Sequence, residues 1–151
     1  MKRRFPLPVV LAALFLAACA APPSTELFVG AAERAADGYH FTVALDTAEV
    51  YDFSFYTALV GRRLPSEPLP LTVTWLSPAK RRFSETVWLD PAGRRDGPFS
   101  RQIVAPYRRG VRIAEPGEWE LTVSLRDTPG LTGLGLRIEK TRDDDGTRQT
   151  P

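Results

Sequence analysis

Between residues 39 and 139, apolar side chains recur at every second position in short runs separated by proline and glycine. The cleanest run is Trp119, Leu121, Val123 and Leu125, alternating with Glu118, Glu120, Thr122 and Ser124. Successive side chains of a strand point to opposite faces, so such a run gives one apolar and one polar face, as a half-buried antiparallel strand requires. Phe41, Val43 and Leu45 make a first run, and Tyr51, Phe53, Phe55, Thr57 and Leu59 a second. Leu69, Leu71, Val73 and Trp75 make a third, and Phe83, Val87 and Leu89 a fourth, in which Glu85 is a polar exception. Ile103 marks a weak fifth around residues 100–105, Val111 and Ile113 a short sixth, and Leu134, Leu136 and Ile138 the last. Between them lie Ser77-Pro78, Asp90-Pro91-Ala92-Gly93, Glu115-Pro116-Gly117 and Asp127-Thr128-Pro129-Gly130. Proline fixes φ near −65° and glycine allows positive φ, so these segments end strands. The pattern predicts an all-β fold, a single antiparallel β-sandwich of about eight strands, jelly-roll or immunoglobulin-like in type. Residues 26–38 are expected to form a short helical turn.

The N-terminus reads differently. Met1-Lys2-Arg3-Arg4 is basic and residues 5–18 are all apolar, too short a run to span a bilayer but right for a secretory signal peptide. It ends in Leu16-Ala17-Ala18-Cys19, which resembles a lipobox, the site where a bacterial lipoprotein is cleaved and its cysteine acylated. The alternatives are an ordinary cleaved signal with a chance cysteine, or an uncleaved anchor. Cys19 is the only cysteine in the chain and stands where acylation needs it, which favours lipid attachment at Cys19. The expected organisation is a signal peptide (1–18), a lipidated cysteine and tether (19–25), a β-sandwich domain (26–140) and a disordered polar tail (141–151).

Removing the signal alters the charge. The whole chain has 20 basic and 18 acidic residues, but Lys2, Arg3 and Arg4 leave with the signal, so the mature chain is slightly acidic. The basic balance is therefore no argument for a nucleic-acid partner. A cysteine committed to lipid leaves no disulfide, and with His40 the sole histidine a zinc site has no usual ligand set. Asp143-Asp144-Asp145 lacks the alternating spacing of a calcium loop. No metal or cofactor is expected.

Catalytic machinery is equally hard to find. The chain has no Gly-x-Ser-x-Gly elbow, phosphate loop or dinucleotide fingerprint. His40 falls on the polar side of its run and reads as a surface imidazole. Glu118 and Glu120 share a strand face, as a glycosidase pair could, but also as any solvated face does. Trp75 and Trp119 have core parity, whereas Trp88 lies opposite Val87 and Leu89 and is expected to be exposed. Arg62-Arg63, Lys80-Arg81-Arg82, Arg94-Arg95 and Arg108-Arg109 all fall between runs. Gathered at one end they would form a basic rim suited to anionic lipid, lipopolysaccharide or an acidic partner; scattered, they serve solubility and edge protection.

Four segments, taken in order, resemble the gliding-motility lipoprotein GldH family of Bacteroidetes. Pro129-Gly130-Leu131-Thr132-Gly133-Leu134-Gly135-Leu136-Arg137-Ile138-Glu139-Lys140 is similar to that family's C-terminal signature. Glu115-Pro116-Gly117-Glu118-Trp119-Glu120-Leu121 resembles its Pro-Gly-aromatic hairpin, Asp90-Pro91-Ala92-Gly93 its central turn, and Tyr51-Asp52-Phe53-Ser54 its Tyr-x-Phe-Ser strand. Arg94-Arg95-Asp96-Gly97 stands where the family carries an aromatic. The resemblance implies a non-enzymatic envelope lipoprotein serving surface gliding and the type IX secretion and motility apparatus. It implies other envelope proteins as partners. The uncharged residues after Cys19 suggest the periplasmic face of the outer membrane. The other function compatible with the residues is an envelope carbohydrate- or lipopolysaccharide-binding module.

Overall fold

The computed structural model describes residues 24–59, 66–96, 101–126 and 128–141. Nine strands form two sheets: β1 (Ser24–Gly30), β2 (Tyr39–Leu45), β3 (Val50–Leu59), β4 (Leu69–Leu76), β5 (Arg82–Leu89), β6 (Arg94–Asp96), β7 (Arg101–Arg112), β8 (Gly117–Leu125) and β9 (Leu131–Thr141). The five-stranded sheet runs β1-β9-β3-β7-β6 and the four-stranded sheet β2-β8-β4-β5. All pairs are antiparallel. With β6 set aside, the first strand pairs with the last, β2 with β8, β3 with β7, and β4 with β5. A long antiparallel hairpin rolled up in this way is a jelly roll, so the sandwich expectation resolves to that topology.

The apolar parity read from the sequence is the parity of the core. Tyr39, Phe41, Val43 and Leu45 of β2 face Tyr51, Phe53, Phe55 and Leu59 of β3 across the interior, joined by Leu71, Val73, Leu121, Val123, Leu134 and Leu136. Fully burying such a side chain contributes roughly 1.5–3 kcal/mol.

Two expectations are corrected. Residues 24–30, placed partly in a tether and partly in a helical turn, form β1; only Ala31–Glu33 make a 3-10 turn. Val29 and Leu27 pack on the core while Phe28 points to the opposite face, so three consecutive apolar residues hide the alternation. The fifth and sixth runs are one strand, β7. Its register against β3 shifts around Tyr51, Phe53 and Ser54, where Gly110 (φ 64°) takes a bulge and its N–H donates to Asp52 Oδ1 at 2.7 Å. Pro106 sits within β7 where β6 no longer covers that edge, because β6 pairs only with residues 101–103.

On the outer face of the five-stranded sheet the Gly-Leu-Gly-Leu-Arg segment has a packing role. A side chain at Gly135 would run into the Tyr56 ring, with an ideal Cβ 2.1 Å from Cζ, and one at Gly133 would meet Phe28. The two rings stack at 6.1 Å between centroids. Arg137 lies 5.8 Å from the Tyr56 centroid and donates to Glu26 at 2.7 Å.

The strand directions define two ends. Ser24 pairs with Glu139, and Val50 with both Thr141 and Arg112, so these residues share one end. Leu45 and Gly117 pair there in the other sheet, as do Leu76 and Arg82. Links 46–49, 77–81 and 113–116 close this Ser24 end, while β6 lies towards the opposite one.

Candidate binding cleft

At the Ser24 end the two sheets part between β5 and β7, leaving a cleft of about 440 Å³. Its walls carry Phe53, Trp75, Phe83, Tyr107 and Trp119, with Arg81, Arg108, Arg112, Glu85 and Glu115 at the rim. The rings interlock. Trp75 meets Phe53 edge-on at 5.3 Å and Trp119 edge-on at 6.0 Å, and stacks on Tyr107 at 6.4 Å. Such pairs contribute about 0.5–1.5 kcal/mol each beyond their buried area. Phe83 is 52% exposed and forms the open lip.

Glu85, the polar exception of its run, fixes the mouth. It points inward from β5 and accepts a 2.5 Å hydrogen bond from Tyr107 Oη, whose oxygen accepts the Trp75 indole N–H at 2.8 Å. Arg108 donates to Glu85 Oε1 from Nε (3.1 Å) and Nη2 (2.9 Å), and to Oε2 from Nη2 (2.7 Å). This network ties β5 to β7 where no backbone pairing does. Burial works to raise Glu85, but the Tyr107 and Arg108 hydrogen bonds outweigh it and hold the carboxyl below its ordinary range. Burial, reinforced by the Glu85 carboxylate, pushes Tyr107 up to about 12. Beside it, Arg81 donates to Glu115 at 3.0 Å and lowers that carboxyl. The Glu115 carbonyl accepts the Trp119 indole N–H at 3.0 Å.

Both carboxylates are thus ionised and held by guanidiniums. That arrangement suits recognition; a general acid would need the opposite shift.

The singled-out residues disperse. Cys19 and Arg62-Arg63 lie outside the described residues. Arg81 and Arg108 meet at the cleft and Arg82 adjoins it on β5. Lys80 pairs with Glu120 on the outer face of β8, Arg109 lies with Asp52 and Glu139 on the outer face of the five-stranded sheet, and Arg94-Arg95 belong to β6 near the opposite end. The clusters therefore do not form one rim; Arg81 and Arg108, one residue from each of two clusters, share the cleft. His40 is half-exposed, 2.7 Å from Asp37 Oδ1 and 3.4 Å from Thr122 Oγ1. Its hydrogen bond lowers the Asp37 carboxyl. Glu118 and Glu120 stay on the solvent face of β8, Glu120 paired with Lys80 at 3.0 Å. Trp75 and Trp119 are only partly buried and line the cleft, so they are less interior than their parity implied. Trp88 is 59% exposed on the outer face beside Pro70, apart from the cleft. Tyr107 is the site residue that the sequence pattern does not reveal, since it lies between the run around residues 100–105 and that of Val111 and Ile113. Among the described residues, no group of three His, Cys, Asp or Glu side chains could hold a metal.

Comparison with protein-family models and with characterised proteins returns no match to this chain.

Proposed function

We propose that this chain is a lipid-anchored, non-enzymatic component of a bacterial envelope assembly, of the kind that serves gliding motility and type IX secretion. The observation that carries the reading is Cys19, the sole cysteine, closing an apolar export signal as Leu16-Ala17-Ala18-Cys19. A diacylated cysteine supplies more than one buried chain, the condition for stable attachment. The cleft adds support, because its carboxylates are held ionised by arginines and its walls are aromatic, features of a surface that binds. The ordered motif resemblance supplies the gliding association, and the uncharged Ala20-Ala21-Pro22-Pro23 favours the periplasmic face of the outer membrane.

Metabolic labelling with a palmitate analogue in the native host tests the anchor. The wild-type chain should take label and sediment with membranes, and Cys19→Ala should do neither. Label on the variant would overturn the reading. Crosslinking followed by affinity purification should then recover envelope proteins of the motility or secretion apparatus. Exposed Trp88 favours one second reading, a glycan-binding module. Specific glycan binding with no envelope protein recovered would establish that reading instead.

A further inference from the structure

We propose that the cleft end of the sandwich is a second membrane contact, which meets anionic phospholipid of the leaflet that carries the anchor. The inference rests on Cys19 being acylated and adds to it an orientation and a lipid preference.

The orientation follows from chain geometry. Ser24 is the fifth residue after Cys19, and an extended chain spans at most about 3.6 Å per residue, so Ser24 lies within roughly 18 Å of the acylated cysteine's backbone. Ser24 begins β1 at the same end as Arg112, Arg82 and the links 46–49, 77–81 and 113–116. That end must therefore lie close to the bilayer. Strands pack about 4.8 Å apart, and β7 is three places from β1, so the cleft lies only about 14 Å to the side of the tether's attachment.

Its chemistry matches what it would meet there. Headgroup regions favour aromatic rings with polar edges and attract arginine and lysine when the lipid is anionic. Phe83 protrudes at the lip, and Tyr107, Trp75 and Trp119 stand behind it with their polar atoms satisfied. Three guanidiniums, Arg81, Arg108 and Arg112, face two carboxylates in the cleft, and Arg82 adjoins them, whereas Arg109 lies on the outer face of the five-stranded sheet with Asp52 and Glu139. The other acidic side chains of this end lie away from the cleft: Asp46 and Glu49 in the β2–β3 link, Asp52 and Glu139 on the outer face of the five-stranded sheet, and Glu118 and Glu120 on the outer face of β8. Glu49 and Glu120 are ion-paired with Lys140 and Lys80. The positive, aromatic side of the end is thus the side that would rest on lipid. An acidic extended peptide laid along the β5 edge is the other occupant the cleft could take. The tether favours the membrane, because it delivers this end there whatever else binds.

The test uses the mature chain carrying Cys19→Ala, which removes the acyl group and leaves the rest intact. Co-sedimentation is measured with vesicles of phosphatidylglycerol and phosphatidylcholine, and with phosphatidylcholine alone. Sedimentation is expected with the anionic vesicles only, falling at least tenfold in 0.5 M salt. Phe83→Ala should weaken it several-fold, and so should the paired exposed change Arg81→Gln with Arg82→Gln, both with circular dichroism unchanged. Arg94→Gln with Arg95→Gln, at the opposite end, should leave it as it was. Equal binding to both vesicles, no binding at low salt, or an equal loss in the opposite-end variant would overturn the proposal. So would capture of an acidic protein partner that the Phe83 change abolishes while vesicle binding is absent. Failure here leaves palmitate labelling of Cys19 untouched, so the two readings fall separately.

Discussion

The middle of the sandwich and its Ser24 end are built from the same alternating strands and hold together differently. In the middle, Leu71, Val73, Phe55, Leu121, Val123, Leu134 and Leu136 are sealed from solvent within the apolar core. At the end, Trp75, Tyr107 and Trp119 keep part of their surface open, and a carboxylate shared by a tyrosine and an arginine joins the sheets. Packing alone holds the first region in shape. The second uses hydrogen bonds with fixed partners, which let the sheets stand apart and leave room between them.

Substitutions should separate the two regimes. Leu121→Ala should produce the largest effect, lowering the unfolding free energy by about 2–5 kcal/mol in urea titrations, since a cavity adds to the lost transfer energy. A loss well under 1 kcal/mol would mean the middle is no better packed than the end. Gly135→Ala should cost about 1–3 kcal/mol by forcing the Tyr56 ring off the strand. Joining it to Tyr56→Ala should give less than the sum of the two single losses, and simple additivity would show that the ring is not what the glycine accommodates. Glu85→Gln should be mildest at pH 7, about 1 kcal/mol, because the group is partly open to water. Its effect should depend on pH. Glu85 sits below its ordinary value of 4.5, so its contribution is present above that pH and fades as pH falls through the lowered value. The gap between variant and wild type should therefore narrow from pH 7 to pH 3 in thermal melts; a constant gap would contradict the ionised network.

The same contrast explains what could be read from the chain alone. Strands β2 to β4, β8 and β9 were legible because each sends one clean apolar face into the middle, and β5 was legible from Phe83, Val87 and Leu89 despite Glu85. β1 was not, because Phe28 belongs to an aromatic cover on the outer face and disguises the parity of Leu27 and Val29. β7 was split at Pro106 and Gly110, since nothing local reveals that Asp52, far along the chain, accepts the N–H that makes the bulge acceptable. Glu85 was visible as an exception, but its partners come from a strand 22 residues away, so the cleft emerged only with topology. Likewise, spacing could not say which arginine pairs share an end.

The pairing of the first strand with the last has a mechanical consequence. If Cys19 is held in a membrane and a partner pulls on the opposite end, the load enters at Ser24 and runs along the axis of β1. β1 would have to slide past β9, so all seven rungs from Ser24–Glu139 to Gly30–Gly133 would be strained together and none could peel singly. A jelly roll tethered in this way resists tension in shear, the stronger of the two directions in which a strand can be torn from a sheet.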